Sequence, residues 1–246
     1  MYIYFMEKSV KCMQAVFETI FDVIYLATVI FLGIQMIRKC RTNRQFFLFG
    51  IMGIILGVGD AFHLVPRAVA LCTADLTQYT AALGIGKLVS SITTAIYYTM
   101  LYHVWRIRYQ VRGKQNLTLA VYLLLALRIV LCLMPQNGWT SADAPLSWGI
   151  YRNIPFVILG VLLMVLLYGS AKKQQDLAFR WMWLAVAISF ICYIPVVLFA
   201  ESVPAVGMLM LPKACAYIWA MAMAYRAMQQ ENVVICSQYN RYRAIR

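Results

Sequence analysis

The chain is organised around long apolar runs without polar relief. Stretches such as VIYLATVIFLGIQMI, LFGIMGIILGVG and FVILGVLLMVLLYG alternate at neither the helical nor the strand period. Residues that are apolar on every side need an apolar solvent around them, so water is not the only medium this chain is built for. Composition agrees. The 246 residues are 63% hydrophobic and 13% charged, and a soluble domain carries about twice that charged share.

Seven segments are long enough to cross about 30 Å of hydrocarbon at about 1.5 Å per residue. Their expected limits are 14–37, 46–70, 78–104, 117–135, 150–170, 181–200 and 205–228. The lengths fit helices rather than barrel strands, because a spanning segment must satisfy its backbone internally. The connections are short. The expectation is an all-α, integral membrane, seven-transmembrane-helix bundle forming one polytopic domain over 1–246. The opening MYIYFMEKSVK lacks a compact basic start and a small-residue cleavage site. It reads as a short outer tail rather than a signal peptide.

Charge sets the expected orientation. Arg38, Lys39, Arg41, Arg44, Arg106, Arg108, Arg112, Lys114, Lys172, Lys173, Arg180, Arg226, Arg241, Arg243 and Arg246 fall in alternate connections and the C-terminal tail. That is 15 of the 22 basic residues, against only Asp176 and Glu231 of the nine acids. The surplus on that side, 15 − 2 = +13, equals the net charge of the whole chain. The positive-inside rule makes these connections cytoplasmic, with the N-terminus outside and the C-terminus cytoplasmic. Trp105, Trp181 and Trp183 are expected at the inner boundary, and Trp139 and Trp148 at the outer one. The plasma membrane is the expected location.

The same distribution argues against a nucleic-acid partner, since no soluble segment carries a basic arm or an aromatic-and-basic stripe. The seven cysteines include no CxxC pair, and the two histidines lie at different expected depths. No metal site and no cofactor are expected. Cys72 and Cys132 both fall near the outer face, within the depth at which a disulfide could join them.

Ionisable residues inside a bilayer are costly and mark function by default. Here Glu18 and Asp22 lie in span one, Asp60, His63 and Arg67 in span two, Lys87 in span three and Lys213 in span seven. All fall in the outer half or near the midplane. At about 100° per residue, Glu18, Asp22 and Tyr25 share one face, as do Lys87, Ser91, Thr94 and Tyr98. The segment GDAFHLVPR clusters Asp60, His63 and Arg67 around a proline expected to kink the helix. Asp60 could orient His63 as a general base, while Arg67 grips a phosphate or carboxylate. The bland alternative is an intrahelical network from Asp60 to Arg67 through His63. For Lys213, pairing with Asp22 or Asp60 is the simplest expectation.

Two resemblances attach to these residues. Seven spans and a lysine in the last one resemble the microbial rhodopsins, and YIPVVLFAES is similar to part of that family's sixth helix. The resemblance implies a retinal-type chromophore on Lys213. However, Leu209 stands where that family has an acid, and no acid lies between Lys87 and Trp105. Gly59-Asp60 and Tyr102-His103 resemble bacterial lysoplasmalogenase-like membrane proteins, but the later Ser-Asp motif is missing, since Phe190 follows Ser189. Neither family is assigned.

Glu18, Asp22, Asp60, His63, Arg67, Lys87, Ser91, Thr94, Tyr98 and Lys213 are therefore expected to bind a small polar or amphipathic ligand, possibly anionic, from the outer face. The expected partners are that ligand and membrane lipids, and an oligomer is compatible with the sequence. The expected activity is transport or sensing. The alternatives are an intramembrane enzyme acting on a lipid head group through Asp60 and His63, and a rhodopsin-like chromophore protein.

Overall fold

The computed structural model describes residues 2–40, 43–73, 78–141, 144–200 and 202–244, with side chains over 13, 15–40, 43–71, 78–141, 144–200, 202–203 and 205–233. The described residues are helical throughout their ordered elements. The helices are α1 (Tyr2–Lys39), α2 (Arg44–Thr73), α3 (Thr80–Arg108), α4 (Gln115–Leu133), α5 (Leu146–Gln174), α6 (Met182–Phe199) and α7 (Met210–Ala244). Single 3-10 turns, Pro135–Asn137 and Pro204–Leu209, precede α5 and α7.

Short connections make neighbouring helices antiparallel. Each packs on the next, and α1 closes the ring on α7. α3 also touches α5, and α2 touches α7. Leu119, Leu123 and Leu127 of α4 and Ile158, Val161 and Val165 of α5 are among many large apolar side chains that face outward. Such a coat suits lipid and not water.

Six helices are long and apolar enough to cross a membrane, namely all except α3. α3 has the length, at 29 residues, but it carries Lys87, Ser90, Ser91, Thr93, Thr94, Thr99 and five aromatic or imidazole rings with polar atoms. It is also the inner helix, buried almost continuously from Thr94 to Trp105. Most of the polar groups from Thr94 to Trp105 are screened from lipid by neighbours, whereas Lys87, nearer the start of the helix, is exposed.

Three expectations shift. α1 begins at Tyr2, so MYIYFMEKSVK continues the helix instead of forming a tail; no proline or glycine interrupts it. α7 runs to Ala244, past the expected limit at 228, for the same reason. Trp105 is not a boundary residue. It is buried, and its Nε1 donates to the Leu166 carbonyl of α5 at 3.1 Å and to Ser170 Oγ at 2.9 Å. Cys132 is a buried free thiol; the side chain of Cys72 lies outside the described ones.

At the basic end a charge network ties four elements together. Arg108 at the end of α3 donates Nη2 to Asp176 Oδ1 at 2.8 Å and Nη1 to Glu231 Oε1 of α7 at 3.2 Å. Its guanidinium lies 3.9 Å from the centre of the Phe179 ring. Asn43, in the connection before α2, donates to Glu231 at 3.0 Å, and Tyr109 donates to Asp176 at 3.1 Å. The two acids of the basic side are thus both spent on one arginine. A polar recess of about 430 Å³ beside them is lined by Asn43, Gln45, Arg108, Gln110, Asp176 and Glu231 among others.

Burial alone would raise the Asp176 carboxyl, but the hydrogen bonds and charge of Arg108 outweigh it and hold the group below its ordinary value. A depressed folded value means the stabilisation is complete above the unfolded carboxylate value of about 3.9 and is lost as pH falls through the folded value. Thermal melting in mild detergent should therefore show no pH dependence from this group between neutral pH and about pH 5. Below about pH 4 the melting temperature should fall more steeply in the wild type than in Asp176→Asn.

Candidate functional site

The polar cluster is assembled by the close approach of α2 and α3. Gly59 of α2 faces Thr93, and a side-chain carbon at Gly59 would overlap the Thr93 hydroxyl. Gly86 of α3 lies against the backbone of Phe62 and His63, and a side-chain carbon there would fall 2.6 Å from the His63 Cα. Backbone is a rigid obstacle, so only glycine allows this separation. The separation in turn lets short polar side chains bridge the two helices.

Asp60 shows the result. Its Oδ1 accepts from Ser90 Oγ of α3 at 2.6 Å, and its Oδ2 accepts from Tyr25 Oη of α1 at 2.7 Å. Three helices thus meet on one carboxyl group. Two short hydroxyl donors suit an ionised carboxylate, which can only accept. One turn further along α2, the His63 Nδ1 lies 3.3 Å from the Leu83 carbonyl of α3. A carbonyl only accepts, so Nδ1 is the donor and Nε2 is left as the acceptor. Another turn on, Arg67 pairs with Glu18 of α1 at 2.9 Å. Asp22 sits within electrostatic reach of Arg67, Glu18 and Asp60.

Lys213 behaves differently from the expected pairing. Its ammonium lies 4.5 Å from the Tyr193 ring centre and 5.6 Å from that of Tyr217. Among the described residues no carboxylate pairs with it. Tyr faces stabilise a cation without neutralising it. His63 feels the charges of Lys87, Arg67 and Lys213 together. Beneath Lys213 the core is aromatic: Tyr98 packs on Tyr97, Phe156, Phe190 and Tyr217 with centroid separations of 5.2, 5.3, 5.2 and 6.4 Å. Tyr98 donates to Ser189 at 3.0 Å. The Tyr217 hydroxyl is buried beside Tyr98 and Ser189 with no partner in hydrogen-bonding geometry.

Of the expected residues, Asp22 lies within electrostatic reach of Glu18, Asp60 and Arg67, and His63 within reach of Arg67, Lys87 and Lys213. Ser91 is half-buried on α3. Thr94 is turned to its own helix, donating to the Ser90 carbonyl at 2.6 Å, and Tyr98 belongs to the aromatic core. The relay from Asp60 to His63 does not form, nor does the intrahelical network to Arg67. Asp60 spends its oxygens on Tyr25 and Ser90, and Arg67 turns to Glu18. Side chains of one helix three and seven residues apart are held toward different neighbours.

Sequence reasoning missed Ser90, Tyr193 and Tyr217 as site residues. Tyr217 did carry a signal, since it stands four residues after Lys213 on the same helical face. Arg128 is a further buried cation. Its place near the end of the fourth span would let it reach outward to the interface, but it turns into the bundle, 1% exposed.

Among the described residues no group of three or more His, Cys, Asp or Glu side chains could hold a metal ion. Comparison with protein-family models, curated proteins and solved structures finds no match. The site's own chemistry is therefore what any functional reading rests on.

Each donor to Asp60 satisfies a charged acceptor. Ser90→Ala and Tyr25→Phe should each lower stability by about 1.5–3 kcal/mol. The double variant should depart from additivity because both act on one carboxylate. Thermal melting of the two singles and the double measures it. Melting unchanged in both singles would show that the carboxylate is not held by these hydroxyls.

Proposed function

We propose that this chain is a seven-span plasma-membrane bundle, N-terminus outside and C-terminus cytoplasmic, that binds a small amphipathic ligand by its anionic group and acts as a transporter or sensor. The seventh crossing is α3. α2 and α4 both run away from the basic end, so the chain must return between them. The orientation rests on the basic connections gathered at one end.

The observation that carries the ligand class is Lys213. It is a cation within a helix otherwise apolar at that depth, held on two tyrosine rings and matched to no carboxylate among the described residues. Arg67, at the edge of the same cluster, is 41% exposed at its side chain even while paired with Glu18. An anion entering there gains one uncommitted cation and a second that can exchange partners. The ring faces of Tyr193 and Tyr217 suit an apolar portion of the same ligand. The network of Arg108, Asp176 and Glu231 closes the opposite end, as an outward-facing binder requires. The enzymatic alternative draws no support, because its acid–base pair is not coupled.

The ligand should co-purify with the full-length protein in mild detergent and be identified by mass spectrometry as an unmodified small anion. Lys213→Gln should weaken its binding about 10–100-fold, the worth of one charge-assisted contact. Full affinity in both Lys213→Gln and Arg67→Gln would remove this reading. A green fluorescent reporter after Arg246 should fluoresce, and a periplasmic phosphatase reporter at the same point should stay inactive.

A further inference from the structure

A second set of cations lies away from that cluster, at the ends of α4 and α5 opposite the basic connections. Arg128 Nη1 donates to the Arg152 carbonyl and to Asn153 Oδ1, each at 2.6 Å. Its guanidinium lies 4.3 Å from the Phe156 ring centre. Its Nε is buried with no acceptor. Arg152, one residue before Asn153, donates Nη1 to Asn137 Oδ1 at 2.8 Å and rests 4.2 Å from the Trp139 ring centre.

Every acceptor in this arrangement is neutral. Among the described residues no carboxylate pairs with either arginine. Neutral acceptors orient a guanidinium but do not cancel its charge. Two such cations, close enough to act on one another, repel in a medium of low dielectric. The support behind them is rigid nonetheless. Asn137 is fully buried, and its Nδ2 is shared among the carbonyls of Leu131, Cys132 and Met134. Asn153 Oδ1 is also held by Tyr193 Oη at 2.8 Å, and its Nδ2 donates to the Gly149 carbonyl at 2.7 Å. A frame this well fixed, around two guanidiniums that meet no carboxylate among the described residues, is organised for something negative.

Gly149 places no side chain beside Arg152. Among the described residues, a side-chain carbon at that position would come into ordinary contact with Arg152 Nη2, at 3.9 Å. We propose that this space is a binding site for a phosphate-type anion, gripped by the free edge of Arg152 and backed by the buried charge of Arg128. Arg is the side chain whose planar fork matches phosphate oxygens in pairs. Trp148 and Tyr151, packed edge to face at 6.0 Å, stand on the same turn of α5. Aromatic side chains of this kind favour the depth of lipid head groups. The phosphate could belong to an anionic lipid or be free in solution, and the two sources are separable.

The test uses the full chain in nanodiscs of phosphatidylcholine, with phosphatidylglycerol or inorganic phosphate added. Either addition should raise the melting temperature by about 2–4 °C. A rise with the lipid alone identifies a head group, and a rise with inorganic phosphate in pure phosphatidylcholine identifies a free anion. Arg152→Gln should abolish the site's share of the rise, and Arg112→Gln should keep it. Phosphatidylglycerol also meets the basic end in every variant, so the difference between wild type and Arg152→Gln is the quantity read. Gly149→Leu fills the space without removing a charge and should lose the same share, which covers the case of an Arg152 variant that does not fold. No rise with either addition, or an equal rise in wild type, Arg152→Gln and Gly149→Leu, would overturn the proposal.

Discussion

The contact between α2 and α3 is what the polar interior depends on. In a membrane the hydrophobic effect does not press helices together, so packing and hydrogen bonds must do so. Gly59 and Gly86 remove the side chains that would hold the two backbones apart. Ser90 can then reach Asp60, and His63 can reach the Leu83 carbonyl. Substituting either glycine would lengthen both bonds at once. The carboxylate would lose its donor from α3 while remaining inside the bundle, which is the costly condition for a buried charge. The glycines and the polar groups are thus one device. Close approach makes the ionised site affordable, and the site's bonds hold the approach in place.

The bundle treats its acids and its bases unequally. Four described acids meet a donor or a cation directly: Glu18 takes Arg67, Asp60 takes two hydroxyls, and Asp176 and Glu231 share Arg108. Several cations instead rest on aromatic rings. Lys213 lies over Tyr193 and Tyr217, Arg128 over Phe156, and Arg152 over Trp139. A ring face lowers the cost of a buried cation while leaving its charge available to a ligand. This asymmetry, rather than the number of charges within the helices, is the physical basis for expecting anions at both sites.

Helix number was legible because apolar runs of this length have few alternatives, whereas the polar extensions of α1 and α7 beyond those runs were not. The depth of the charged residues was legible for the same reason, since they interrupt those runs. The partner of each charge was not. Periodicity places Asp60, His63 and Arg67 on one side of α2, yet each turns to a different neighbour. That choice depends on how closely α3 and α1 approach, which a single helical wheel does not contain. Arg128 misled in a similar way. Its position near a helix end suggests snorkelling, but Asn153 on the neighbouring α5 offers an acceptor inside the bundle, and a long side chain follows its acceptor. The span Thr80–Arg108 is the opposite case. Its low hydropathy reflects polar side chains, many of which from Thr94 to Trp105 are buried against neighbouring helices.

The two ends of the bundle are mechanically linked even though no polar chain runs between them. α2, α3 and α7 each contribute to both networks: Asp60 and the residues before α2, Ser90 and Arg108, Lys213 and Glu231. On α3 the two bonding positions are 18 residues apart in sequence, about 27 Å along a helix axis. A helix of that length moves as a rod, so a tilt that separates Ser90 from Asp60 must also shift Arg108 relative to Asp176 and Glu231. The bonds at the basic end are directional and mutually shared, and such networks break together rather than stretch. An anion drawing Lys213 toward the cluster would act on α7, which also carries Glu231. The network at the basic end is therefore placed where movement at the ligand cluster would be felt, and its two acids are the only ones on an otherwise wholly basic side.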